Sequence, residues 1–136
     1  MLTNSYADYQ QFVTYGMKGA AVPATDRDRV ESILVAKSRT ADSYLAIAYG
    51  ESNVPFSQWP ETLTEAVCKL AAFEYIGMRG AQIEGPDDVI LTRYKDAMAW
   101  LRDIAAKRAV IIGVTANAPP RAPSSAAVYS EDAPRI

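Results

Sequence analysis

A chain of 136 residues, 49% hydrophobic and 22% charged, has enough apolar material for one domain with a single core and needs no staples to fold. Its formal net charge is -2, with acidic and basic residues nearly balanced along the chain, so there is no electrostatic reason to expect free binding to nucleic acid. Histidine is absent and Cys68 is the only cysteine, which removes Ser-His and Cys-His nucleophile pairs and an internal disulfide, and leaves a zinc site unexpected.

Met1-Leu2 leads directly into polar residues, so no signal peptide is expected. No apolar run reaches bilayer length. Synthesis in a cytosol, solubility and no membrane partner are the corresponding expectations.

The spacing of Tyr6, Tyr9 and Val13 predicts a short helix over residues 3–15, capped by Thr3, Asn4 or Ser5 and ended by Gly16 and Gly19. A second helix is predicted from Thr25 or Asp26, as N-cap, to about Tyr49. Val30, Ile33, Leu34, Ala41, Tyr44, Leu45 and Ala48 mark its core face, Lys37 snorkels from that face, and Gly50 stops it. Glu51 to Trp59 is turn-rich, with Pro55 and two aromatic residues but no periodicity.

Pro60 to Arg79 reads as the central helix. Leu63, Val67, Leu70, Ala71 and Met78 follow helical spacing, while Ala66, Phe73, Ile76 and Gly77 populate neighbouring faces. So wide a stripe predicts a helix packed on more than one side. Pro60 suits the first helical position, and Thr62-x-x-Glu65 is an alternative capping-box start. Cys68 falls inside the stripe and reads as buried and inert.

Pro86-Asp87-Asp88 opens a fourth helix, in which Ile90, Tyr94, Ala97, Met98, Leu101, Ile104 and Ala105 form an amphipathic stripe. Leu70, Tyr94 and Leu101 are expected to be buried. Val110 to Val114 is β-branched and apolar, which reads as strand-like. Residues 115–136 are rich in Ala, Pro and Ser and cannot build a core. The predicted architecture is therefore all-α: a body over 1–108 of about four helices, with an extended arm over 109–136 that contains a short β-like segment.

Several candidate sites have plainer explanations. Asp87-Asp88 answers the helix dipole, and Glu84 to Asp88 lacks the ligand spacing of a calcium loop. Gly16-Met17-Lys18-Gly19 matches no phosphate-binding pattern. Arg27-Asp28-Arg29 is short and balanced, and the tyrosines fall mostly at helical spacing. No catalytic, cofactor-binding or metal-binding residue is expected, and no enzyme. The arm is the expected partner or oligomer interface: Val110, Ile111, Ile112 and Val114 have the character of an exposed strand. Pro119 and Pro120 restrict the backbone before docking, and Val128, Tyr129 and Ile136 are isolated apolar anchors.

The run from Arg93 to Ala106, RYKDAMAWLRDIAA, resembles the small helical head–tail connector proteins of tailed bacteriophages, in particular a family common in Mu-like prophages. Tyr6-Ala7, Thr25-Asp26-Arg27-Asp28, Asp42-Ser43-Tyr44-Leu45, Pro55 and Trp59-Pro60 support the likeness, which covers about residues 4–108. Lys107-Arg108 departs from it, because the family tends to have a glycine just past the helix. The resemblance implies a structural virion protein at the neck, made in the host bacterial cytoplasm. It also implies a homo-oligomeric ring, usually of twelve copies, bound to the portal protein on one side and to a tail-side neck or terminator protein on the other. Genomic DNA would pass through the lumen without sequence-specific binding, as a near-neutral wall permits. The competing class, a small regulatory or DNA-binding helical protein, predicts a basic recognition helix, and none of the predicted helices is predominantly basic.

Overall fold

A computed structural model of the protein describes residues 5–78 and 88–114. Among these residues the chain is all-α, with four α-helices and no strand: α1 (Tyr9–Gln11), α2 (Arg27–Tyr49), α3 (Glu61–Met78) and α4 (Asp88–Ala105). The helices α2, α3 and α4 each pack against the other two.

The width of the α3 stripe has the expected consequence. Leu63, Val67, Leu70 and Ala71 are buried, and so are Ala66, Cys68, Ala72, Tyr75 and Ile76 on adjoining faces. Met78, assigned to the same stripe, is instead 53% exposed, because it is the last residue of the helix. On α2, Val30, Ile33, Leu34, Ala41 and Leu45 are buried as the spacing predicts, and Lys37 Nζ reaches Glu74 of α3 at 2.7 Å. The helix ends at Gly50, whose φ of 97° is open to glycine but not comfortably to a residue with a Cβ. On α4, Ala97, Met98, Leu101 and Ile104 are buried. Tyr94, expected to be buried, is only half-buried: its ring stacks on Phe73 at 4.2 Å between centroids, at the edge of the core rather than within it.

The N-terminal helix is shorter and capped differently than expected. Asp8 is the cap: it accepts a hydrogen bond from the Gln11 N–H at 2.8 Å, while Asp8 N–H donates to Gln11 Oε1 at 3.0 Å, forming a reciprocal capping box. Ser5 does not cap, because its hydroxyl donates to Ala7 O at 2.6 Å. Thr3 and Asn4 lie outside the described residues. After a single α-turn the chain widens into a π-turn, Phe12–Gly16, closed by the Met17 N–H on Phe12 O at 3.0 Å. That wider turn brings Gly16 so close to α3 that a Cβ there would lie 2.8 Å from Cys68 O.

Asp26 precedes α2 as expected but makes no side-chain cap. Its carboxylate accepts from the Tyr75 hydroxyl at 2.6 Å, a tie to α3 instead. Of the fourth helix's start signature, Asp88 opens α4, while Pro86 and Asp87 lie outside the described residues.

The expected strand over Val110–Val114 does not form. The end of α4 is a Schellman turn: Lys107 N–H donates to Ile104 O at 2.9 Å and Arg108 N–H to Asp103 O at 2.7 Å. Lys107 adopts the left-handed conformation, φ 64°, that a glycine would ordinarily take there. The chain then folds back through bends. Ile111 is 6% exposed, and its N–H donates to the Tyr49 hydroxyl at 2.9 Å. A backbone N–H committed to α2 is not available to an edge strand.

Candidate functional site

Four arrangements in the molecule bring polar or exposed apolar side chains together. The first is a buried polar hub around Tyr6. Its hydroxyl donates to Asp42 Oδ1 on α2 and accepts from the Phe56 N–H at 3.0 Å. Its backbone is held as firmly: the Tyr6 N–H donates to Ser38 Oγ at 2.9 Å, and Tyr6 O accepts from Thr64 Oγ1 of α3 at 2.7 Å and from Trp59 Nε1 at 3.2 Å. Arg39 Nε forms an ion pair with Asp42 Oδ2 at 3.0 Å, and its guanidinium lies 6.0 Å from the centre of the Tyr6 ring. Burial, reinforced by the Asp42 hydrogen bond, pushes the Tyr6 hydroxyl well above its ordinary pKa. Burial also raises the Asp42 carboxyl, against the opposing pull of Tyr6 and Arg39. The Tyr6 hydroxyl and backbone, Ser38 and Thr64 all hydrogen-bond within the protein, and Arg39 Nε, which makes no hydrogen bond, is matched only by its ion pair with Asp42. The hub therefore orders the fold rather than presenting a reactive group.

The second is a clamp. Arg93 of α4 donates from Nη1 to Gly16 O at 3.1 Å and from Nη2 to Tyr15 O, placing a cation on the carbonyl end of the π-turn. Desolvation lowers its pKa, the cost of drawing a guanidinium partly out of water. Cys68, beneath the same turn, is fully buried, and its thiol is pushed up to about 12, first by burial and then by the negative charge of Asp8 and Glu65. Such a thiol is neutral and unreactive, as its position in the stripe predicts.

The third is a surface groove of about 250 Å³ between α3 and α4. Ala66 and Ala97 form its apolar floor, Glu65, Lys69 and Asp96 its polar rim, and Trp100 one wall.

The fourth is the chain exit, where the sequence places the partner interface. The structure divides its residues. Val110 and Ile112 are 71% and 80% exposed, the most exposed large hydrophobic side chains among the described residues. Ile111 and Val114 instead pack against the protein's own core. Pro119, Pro120, Val128, Tyr129 and Ile136 lie outside the described residues.

The remaining candidates keep their plainer explanations. Lys18 and Gly19 form a left-handed turn, with φ of 57° and 79°. Arg27 pairs with Glu31 at 3.3 Å and Arg29 with Asp26 at 4.0 Å, which leaves no basic patch. Among the described residues there is no cluster of three or more metal-ligating side chains, and no helix long and apolar enough to cross a membrane.

Sequence reasoning missed the hub, the clamp and the groove. The only available signal was indirect: Tyr6, Asp42, Trp59 and Arg93 all lie in the short runs that carry the connector resemblance. No curated protein and no solved structure matches the chain. A family model described as "Bacteriophage Mu, Gp36" matches residues 7–130, which covers all of α1 to α4 and the exit segment. With that span matched, the chain belongs to the bacteriophage Mu Gp36 family and is a Mu-like phage protein.

Proposed function

We propose that this protein is a structural part of the virion, a head–tail connector that forms a ring beneath the portal and joins the capsid to the tail. The observation that carries the reading is the chain exit. In a member of a Mu phage family, the helical body ends in a segment that exposes Val110 and Ile112 while Ile111 anchors it to α2. A segment held at one residue and apolar on the outside suits permanent assembly, in which such side chains become buried. The reading as a structural part and not an enzyme draws on the absence of histidine and on the closed hydrogen bonding of the Tyr6 hub. Its partners would be further copies of the chain, the portal protein and a tail-side neck or terminator protein, with DNA passing a near-neutral lumen and no membrane involved.

Replacing both Val110 and Ile112 by aspartate tests the role of the chain exit. Both side chains are exposed, so the protein should stay folded yet fail to enter particles, and normal incorporation would overturn that role. Deletion of residues 113–136 tests the rest of the arm. The truncated protein retains Ile111 and should keep nearly unchanged helical circular dichroism, yet it should fail to enter particles. Truncated protein that assembles as well as the full chain would remove the arm from the proposal. Electron microscopy of labelled particles that places the protein anywhere but the neck would overturn the connector reading itself.

A further inference from the structure

We propose that the groove between α3 and α4 receives the Lys107–Ile112 segment of a neighbouring copy, so that copies join groove to segment. The inference rests on the connector reading and names the contact through which its copies would associate.

The two surfaces are complementary. The rim of the groove sets the carboxylates of Glu65 and Asp96 against the single ammonium of Lys69, and neither carboxylate has an ion-pair partner among the described residues. The segment offers the opposite charge and then apolar side chains: Lys107 has no ion-pair partner among the described residues, Arg108 pairs only with exposed Asp103, and Val110 and Ile112 follow. The apolar floor of Ala66 and Ala97 and the wall of Trp100 suit an aliphatic side chain, and an indole face also accepts a cation. A copy does not fill its own groove with this segment. The Ile111 N–H is held by Tyr49 of α2, whereas the groove is walled by α3 and α4. Groove and segment are thus unlike patches on one chain. A contact between unlike patches is heterologous, and it closes into a ring when the rotation per copy allows.

The test uses the full-length protein in assembled particles, with Lys69→Cys on the groove rim and Ile112→Cys on the segment. Cys68 is buried and stays silent. Oxidation should give a ladder of linked multimers from the double variant and none from either single variant. As a second arm, Asp96→Lys and Lys107→Glu should each lower incorporation by about tenfold, as like charges are brought together, and a mixture of the two single variants should restore it. If particles carry several copies but the double variant gives no ladder and the mixture gives no rescue, the contact is wrong while the ring stands. If the groove cysteine links only to another virion protein, the occupant is that protein and the proposal fails. If particles carry no oligomer of this chain at all, the connector reading falls together with the contact.

Discussion

The α3 core and the Tyr6 hub are both buried, yet they are held in different ways. Around α3, Leu63, Val67, Leu70 and Leu101 are sealed by apolar contact, which is non-directional and tolerates small shifts. Around Tyr6, one residue joins Ser38 and Asp42 of α2, Phe56 and Trp59 of the connecting loop, and Thr64 of α3 through hydrogen bonds with little angular freedom. Apolar burial of the kind seen around α3 is the dominant favourable term in folding. The hub decides where the N-terminal segment and the loop before α3 sit, because a slip of either would leave buried polar groups unpaired.

The strongest way to break the core side of this contrast is Leu70→Ala. Leu70 is 1% exposed, so truncation should cost about 2–5 kcal/mol in urea unfolding, the usual loss for a buried leucine. A cost below about 1 kcal/mol would mean that the site collapses freely and that α3 is not the centre of packing.

Tyr6→Phe probes the hub with almost no change in volume. It strips the Phe56 N–H and Asp42 of a partner and should cost about 1–3 kcal/mol at neutral pH. That cost should also depend on pH. The folded protein holds the Tyr6 proton more tightly than the unfolded chain does, so its contribution is fully present below the ordinary tyrosine value of 10.0 and is lost as pH rises above it. The stability gap between wild type and Tyr6→Phe should therefore stay constant up to about pH 9 and narrow progressively as pH rises above 10.0. A gap that stays constant or widens there would show that the hydroxyl is not the group being held.

Two glycines sharpen the comparison where the N-terminal segment meets α3. At Gly16 an added Cβ meets the Cys68 carbonyl at 2.8 Å, a contact that only backbone movement relieves, so Gly16→Ala should cost about 1–3 kcal/mol. At Gly77, on the exposed side of α3, an added Cβ meets nothing within 4 Å. Gly77→Ala should stabilise the protein by about 0.5–1 kcal/mol through helix propensity, the smallest effect expected here. Thermal unfolding of the pair reads both signs, and similar effects from the two would mean that the π-turn does not press on α3.

The helices were legible in the sequence because their signal is local. The stripes of α2, α3 and α4 recur every three or four residues, and a face so marked must be buried wherever it is carried. The burial of Cys68 followed from the same periodicity, and the stop at Gly50 from a glycine standing just past the last residue of the α2 stripe. Two failures arise where the local pattern is present but the tertiary surroundings do not answer it. Tyr94 and Met78 carry the right spacing, but they stand where the neighbouring elements no longer cover the helix. The segment Val110–Ile112 has strand composition, yet a strand requires a partner, and here the Ile111 N–H is taken by a tyrosine hydroxyl.

Sequence alone thus determined the number, order and core faces of the long helices, since those depend on a repeat written along the chain. Only the tertiary structure decided the rest. The hub joins Tyr6 to Asp42, Phe56 and Thr64 across 36, 50 and 58 positions, the clamp joins Arg93 to Gly16 across 77, and the groove exists only between two helices once packed. No periodicity encodes such pairings, because a hydrogen bond between distant residues is specified by the geometry that the apolar core has already imposed.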